Sequence, residues 1–469
     1  MNRGRLAAGT RWLDQNTLAG GVPYGVFRLT QSGAQTIRDF LSEGGSRTLS
    51  ANQKDLLSRL ILNAMLLPPT SYLYSLVDVT VIIPALSAPE PVQRIISLLP
   101  TAVKIIVVDD GSSIPLSAVL IPQSNLTVLR NAQAQGPAAA RNFGAATGNT
   151  TWLLFLDADV EPASSVISDL LGFVSRSEVV AIAPRVVSSP GVGLASWFEG
   201  FSALDMGEIP GMVGHGHVIP YVPSACLLVR AEIFQALKGF NEELHVGEDV
   251  DFVWRLSKHG QIQYESSLKV VHQDRTSIFR ALKRRHFYGT SAALLSRQHS
   301  GRVSHLEISV WTLVPWLVGL FLSVGIGCLL IALSIFASPL RFRGMARKHA
   351  RQLAISEQRS GIVNAGRWLV RPLLPVTLTA AILSPYLRDR LAIAILLGFL
   401  GVSHLSKRKI SSMGIFSAVA DSGQRFLASL LDDVAYSLGV WQGVIRYRRV
   451  HPILPRVLGL RRMIQTQKR

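Results

Sequence analysis

Thr151-Trp152-Leu153-Leu154-Phe155-Leu156-Asp157-Ala158-Asp159 runs five apolar residues into two carboxylates held one residue apart. A short run that is apolar throughout, from Trp152 to Leu156, suits a strand buried on both faces of a parallel sheet. Asp157 and Asp159 then sit where that strand leaves the sheet, and ligands of open α/β folds bind at the carboxyl ends of the strands. In an extended exit, carboxylates at i and i+2 point to the same side and can hold one divalent cation between them. Taken alone, an Asp-x-Asp pair reads more readily as the solvated turn that stops a strand. The rest of the chain has to decide between the two.

Outward from this stretch the pattern is strand, helix, strand. Val79-Thr80-Val81-Ile82-Ile83-Pro84 is a strand closed by proline, and a helical stretch follows from Pro91 to Leu99. Ala102 to Val108 forms a second strand ending in Asp109-Asp110-Gly111-Ser112, and Leu126 to Arg130 a third. Gly136-Pro137-Ala138-Ala139-Ala140-Arg141-Asn142 opens a helix before the Trp152 strand. This spacing predicts an α/β domain with a doubly wound parallel sheet. Beyond it, Val179 to Ala183, Ala225 to Val229 and a run ending Val270-Val271-His272 are further strands. Gly247-Glu248-Asp249-Val250-Asp251-Phe252 opens a helix between the last two.

The flanks have other characters. Residues 1–67 read as a small separate module of short strands and two helices, closed by the break at Pro68-Pro69. It resembles the peptide-binding modules that deliver ribosomal precursor peptides to modifying enzymes. The first residues lack the apolar core of a signal peptide, so the part that follows is expected in the cytoplasm. Beyond residue 275 the chain turns basic and then apolar, and residues 305–469 are expected to form a helical, membrane-associated region. Ile308 to Ala337 holds no charged residue, enough length for a bilayer span of roughly 20 residues. A single crossing would place the cluster Arg341, Arg343, Arg347, Lys348 and Arg351 outside, against the positive-inside rule. Either the run is a bent hairpin lying in the inner leaflet, or the loop violates the rule. Leu373 to Leu387 and Leu391 to Val402 are shorter apolar stretches of interfacial type, followed by the basic flank Lys407-Arg408-Lys409.

Composition points the same way. The 469 residues carry 48 Lys and Arg against 30 Asp and Glu, a formal charge of +18, yet mean hydropathy is +0.30. A chain both basic and apolar suits an anionic membrane surface. Nucleic acid is set aside, because the basic residues border apolar runs instead of interleaving with aromatics. Two cysteines, Cys226 and Cys328, give neither a disulfide framework nor a zinc spacing.

Val-Ile-Ile-Pro, Val-Val-Asp-Asp-Gly-Ser, Gly-Pro-Ala-Ala-Ala-Arg-Asn, Phe-Leu-Asp-Ala-Asp and Gly-Glu-Asp-Val-Asp-Phe, in that order over residues 77–290, resemble the family-two glycosyltransferases of GT-A fold. The resemblance implies a nucleotide-sugar site in which Pro84, Asp110 and Gly111 receive the base and ribose. It also implies that Arg141 pairs with the diphosphate and Asn142 holds the loop. Asp157 and Asp159 would hold Mg²⁺ or Mn²⁺, hard oxygen ligands for a hard cation. His272 fits either a third metal or diphosphate contact or a hydrogen-bonded strand end. Asp249 is the candidate general base for the acceptor hydroxyl, with Glu248 orienting it or the acceptor. One base opposite the leaving group implies inversion.

A processive synthase's Gln-x-x-Arg-Trp is absent; Arg280 to Tyr288 stands in its place, with Arg284 and Arg285 as a diphosphate clamp or a basic stripe facing lipid headgroups. Within the family the architecture resembles the mycofactocin-system glycosyltransferases. That implies glucose moved from UDP-glucose to a peptide-derived redox cofactor precursor, building a short β-linked glucan at the cytoplasmic side of the cell membrane. A polyprenyl-phosphate or other lipid-linked acceptor is the alternative. A non-catalytic sugar-nucleotide-binding scaffold need not have kept Asp157, Asp159 and Asp249 together.

Overall fold

The computed structural model describes residues 3–22, 25–43, 49–69, 73–174, 178–189, 204–273, 277–299, 302–342, 346–405 and 415–458. The described residues divide into two units, one running to Gln273 and the other from Ser277 to Leu458. Arg343, the run Lys407 to Lys409 and the Arg-rich end of the chain lie outside the described residues.

The first unit begins with the N-terminal module. Strands Arg11–Asp14, Thr17–Gly20 and Gly25–Arg28 form an antiparallel meander, followed by helices Gln31–Glu43 and Ala51–Leu62. Ser50 and Gln53 make a capping box at the start of the second helix. Leu18, Ile37, Leu60 and Met65 close the module's own core. It is not detached from the domain that follows. Ala8 N–H donates to Pro210 O at 2.8 Å, and Arg5 pairs with the fully buried Glu265.

The sheet of the first unit has nine strands: β1 Val79–Ala85, β2 Lys104–Asp110, β3 Leu126–Asn131, β4 Trp152–Leu156, β5 Val160–Pro162, β6 Val179–Ser188, β7 Gly211–Val213, β8 Cys226–Arg230 and β9 Gln261–His272. Their spatial order is β5-β9-β6-β8-β4-β1-β2-β3, with β7 also on β9. β1 pairs in parallel with β2 on one side and β4 on the other. The chain therefore runs β1 to β2 to β3 outward, then returns through helix α1 (Pro137–Thr147) to the far side of β1. The crevice at the carboxyl ends of β1 and β4 is such a topological switch point, where ligands bind in α/β sheets. All five residues of β4 have no exposed surface, as a central strand requires.

The sheet is mixed, not parallel throughout. β8 lies between β4 and β6 and runs antiparallel to both. Its run is as apolar as its neighbours', and an all-apolar run carries no direction. Helix α2 (Glu248–Leu256) leads into β9, which pairs in parallel with β6.

The second unit is helical: α3 Ile278–Gln298, α4 Val310–Phe321, α5 Val324–Phe336, α6 Arg347–Trp368, α7 Leu374–Leu383, α8 Pro385–Leu405 and α9 Ile415–Tyr447. The apolar run from Ile308 is not one rod. Leu322 and Ser323 interrupt it, and α4 and α5 fold back on each other as a hairpin, the bent form expected. Among the described residues no helix is long and apolar enough to cross a membrane. α3 packs along α9, so the segment from Ile278 belongs with the helices and not with the nine-stranded sheet, ending the sheet domain short of residue 290.

Candidate active site

The carboxyl ends of β2, β4 and β9 and the start of α2 bring the acidic residues to one edge. Asp109 is buried and accepts hydrogen bonds from Ser112 N–H at 2.9 Å and Leu116 N–H at 3.0 Å, with Arg130 paired to it as well. Burial alone would raise its pKa; the hydrogen bonds from Ser112, Leu116 and Arg130 prevail and hold it below the usual carboxylate value. Asp109 is thus a brace for the turn. Asp110, nearly as buried, accepts from Asn131 Nδ2 at 2.8 Å and from the backbone N–H groups of Gln135 and Gly136 at 3.0 and 2.8 Å. It ties the loop entering α1. Gly111 has φ +82°, and a Cβ there would stand 2.6 Å from Ala134 N. Only glycine fits. Pro84, half-buried on β1, stands level with Val108 of β2 in register.

Arg141 is the hub. Its side chain is 4% exposed, and it donates from Nη2 to Asp157 Oδ1 at 2.5 Å and from Nη1 to Glu248 Oε1 at 3.1 Å. Its guanidinium also lies over the Phe240 ring, 5.5 Å from the centroid. Burial disfavours the charge, but Asp157 and Glu248, with Asp249 behind them, more than offset that and keep the cation. The family resemblance implies a diphosphate partner for Arg141. In the folded chain its donors are turned to two carboxylates, because a buried guanidinium is held by ion pairs before it can serve a ligand. Asn142, next along α1, accepts from Phe240 N–H at 2.8 Å and donates to Phe240 O and Glu242 Oε1, each at 2.8 Å. It holds the loop, as expected.

Asp249 stands at the first turn of α2, beside Glu248. Its pKa is pushed up to about 7, first by burial and then by the Glu248 charge, against the Val250 N–H and Arg141. A carboxyl poised there can take up a proton near neutral pH. Asp251, by contrast, is buried and engaged by Arg255 at 2.8 Å, so it stiffens the helix.

The two carboxylates of Asp-Ala-Asp do not face the same way. Asp157 to Val160 closes a turn, with Val160 N–H donating to Asp157 O at 3.1 Å. The alternation of an extended exit therefore does not apply. Asp157 goes to Arg141, while Asp159 lies 3.3 Å from Nε2 of His272, brought there by the pairing of β5 with β9. Among the described residues no three His, Cys, Asp or Glu side chains are grouped so as to hold a metal ion. Asp159 and His272 nonetheless fit one in kind: a carboxylate half-open to solvent beside an imidazole, with Asp157 two residues away, is an acceptable donor set for Mn²⁺ or Mg²⁺.

Arg284 and Arg285 lie on α3 in the second unit, where Arg285 pairs with Asp432 of α9 at 2.6 Å. The long helix α9 supplies buried acids, and Arg367 makes a bidentate pair with Asp433 at 2.9 Å beside it. Sequence reading missed Arg130 and Phe240. The position of Arg130 at the end of β3, level with Asp109 in register, was the available signal.

The Glycosyl transferase family 2 model matches residues 80–238. The pre-mycofactocin glycosyltransferase of Mycobacterium tuberculosis, in strains CDC 1551 and H37Rv, is 31% identical over 461 residues, 95% of each chain. The succinoglycan biosynthesis protein ExoU of Rhizobium meliloti is 26% identical over 221 residues, 42% of this chain and 60% of that one. Among solved structures, a mannosyltransferase from Pyrobaculum calidifontis in complex with GDP-Man and Mn²⁺ gives a TM-score of 0.38 at 15% identity, covering 71% of this chain and 89% of that one. S. aureus TarS 1–349 gives 0.35 at 15%, over 60% and 88%. With a family model matched over residues 80–238 and a relative 31% identical over 95% of each chain, the chain belongs to the family-two glycosyltransferases, in company with the pre-mycofactocin glycosyltransferases.

Proposed function

We propose that the chain transfers glucose, with inversion, from UDP-glucose to a premycofactocin-type, peptide-derived cofactor precursor, and that repeated transfer builds a short β-linked glucan. The observation that carries the reading is Arg141, buried and bridging Asp157 at the switch point to Glu248 beside Asp249. It joins the donor side of the edge to the acceptor side. The relative's name supplies the acceptor class.

The base and ribose of the donor lie along Pro84, Asp110 and Gly111. Asp157, Asp159 and His272 would hold Mg²⁺ or Mn²⁺, which when bound neutralises charge on the departing diphosphate. Asp249, with a carboxyl near 7, takes the proton of the acceptor hydroxyl as its oxygen bonds to the anomeric carbon. The bond from that carbon to the diphosphate oxygen breaks, and the nucleoside diphosphate leaves with the electron pair. Glu248, fixed by Arg141, orients Asp249 or the acceptor.

The chemistry is placed at the cytoplasmic side of the cell membrane. Apolar side chains left open on α5 and α7 support a membrane surface, and they support a polyprenyl-phosphate acceptor as the second reading. The test is product analysis. Purified protein is given UDP-glucose and other nucleotide sugars, with peptide-derived or polyprenyl-phosphate acceptor, with and without EDTA. A β-glucosylated peptide-derived product, lost with EDTA, supports the reading. Transfer to the lipid alone replaces the acceptor, and no transfer from any donor defeats it.

A further inference from the structure

The second unit carries a surface that water does not suit. α5 has no charged residue, and Val324, Ile326, Leu329, Leu333 and Phe336 are each half or more exposed; within the helix only Gly327 and Ser334 are buried. On α7 Ile382 is 81% and Leu383 78% exposed. Contiguous apolar surface of this kind marks a binding face.

The two hairpins that bear it, α4–α5 and α7–α8, are fastened at their turns. Tyr386 Oη donates to Leu322 O at 2.7 Å, and Arg390 Nη1 to Gly319 O and Leu320 O at 3.1 and 3.3 Å. The last carbonyls of α4 would ordinarily be left to solvent. Here side chains satisfy them, as a place without water demands. The helices also meet through glycines, as lipid-embedded helices do. A Cβ on Gly327 would stand 2.7 Å from Gly319 Cα, and one on Gly366 2.8 Å from Gly398 Cα.

Charge marks how deep the face can go. Arg388 and Asp389 are exposed beside the fastened turns, at the amino end of α5. At its carboxyl end Arg351 lies over the Phe336 ring, 5.6 Å from the centroid, with Arg347 and Lys348 exposed on the same first turns of α6. The 13 residues of α5 span about 20 Å, short of the roughly 30 Å of a bilayer core. With charges at both ends, the helix can keep them among headgroups only by lying flat.

We propose that α5 and α7 lie flat in one leaflet of an anionic bilayer, held by their apolar face and by Arg347, Lys348 and Arg351, without crossing it. This rests on the membrane reading above and gives it a site and a depth. Basic residues at the rim attract acidic headgroups and apolar ones enter the acyl boundary. Cys328, exposed on α5, is a built-in reporter, while Cys226 is buried.

Full-length protein, diluted from detergent, is mixed with phosphatidylcholine vesicles with and without phosphatidylglycerol. The proposal expects co-sedimentation with the anionic vesicles, reduced by 0.5 M salt, and slowed alkylation of Cys328 by a water-soluble maleimide. Leu329→Glu with Leu333→Glu should weaken vesicle binding by about tenfold or more; both side chains point outward, so the fold survives and hydrolysis of nucleotide sugar in detergent is unchanged. Binding that persists in that variant overturns this face while leaving membrane attachment standing. No binding to any vesicle overturns both, and Cys328 protected only by self-association assigns the face to a second copy. Reagent enclosed in the vesicles reaching Cys328 would show a crossing and also overturn it.

Discussion

The sheet of the first unit and the helices of the second use the same apolar residue types in opposite ways. Trp152 to Leu156 keep no surface in contact with water. Leu329, Leu333, Phe336, Ile382 and Leu383 keep more than half of theirs. A central strand is covered on both faces by its own chain, so its side chains fill the core and the polar groups gather where the strands end. A helical hairpin on the outside of a bundle is covered on one side only. Whatever covers the other side has to come from elsewhere. The difference teaches where to look: for chemistry at the edge of the closed unit, for a partner on the face of the open one.

The largest effect expected belongs to the closed unit. Asp249→Asn should lower kcat by about 10²–10⁴-fold with the donor KM little changed, since a base acts in the transition state and not on the bound donor. Steady-state kinetics checks this, and full activity in the variant would remove the base assignment. Next comes Arg141→Met. It strands Asp157 and Glu248, and stability should fall by about 3–5 kcal/mol in urea unfolding; a loss below 1 kcal/mol would mean the bridge is not closed in solution. Phe155→Ala should cost about 3–5 kcal/mol, and Leu329→Ala in the protein free of lipid within about 0.5 kcal/mol. Equal costs would break the comparison itself, because both side chains would then be buried.

A smaller effect links the edge to pH. With Asp249 held near 7 in the fold against an ordinary value of 3.8, the folded state binds more protons than the unfolded one between those values. The stability contributed by the protonated carboxyl is present below about pH 4 and lost as pH rises through about 7. Asp249→Asn should therefore raise Tm slightly at pH 8 and leave it unchanged at pH 4. Thermal unfolding at the two values decides it.

Much of the closed unit was legible in the sequence. Val79 to Pro84, Ala102 to Asp110, Leu126 to Arg130 and Trp152 to Leu156 are all strands where their apolar runs placed them, because a buried strand needs an unbroken apolar run and tolerates little else. The motifs reach one edge because that edge is the carboxyl end of those strands. What escaped was set by three-dimensional neighbours. The direction of β8 is not written in an apolar run. The divergence of Asp157 and Asp159 comes from a turn that closes immediately after β4, and the engagement of Arg141 by two acids depends on Glu248 arriving more than a hundred residues later. Arg285 was read against the motif it replaces, while its partner Asp432 lies on a helix far down the chain. In the open unit the apolar run from Ile308 to Ala337 was legible as helical, but its uncharged length allowed one rod as well as the hairpin that Leu322 and Ser323 make of it.

The central claim is that Asp249, raised by burial and by Glu248 and steadied by Arg141, is the base of a glycosyl transfer. The pH dependence of kcat/KM reports the ionisation of the free enzyme and tests this most directly. The account predicts a rise through about pH 7 to a plateau in the wild-type protein, and loss of that limb from the residual activity of Asp249→Asn. An unchanged limb in the variant would assign the titration, and the base, to another group.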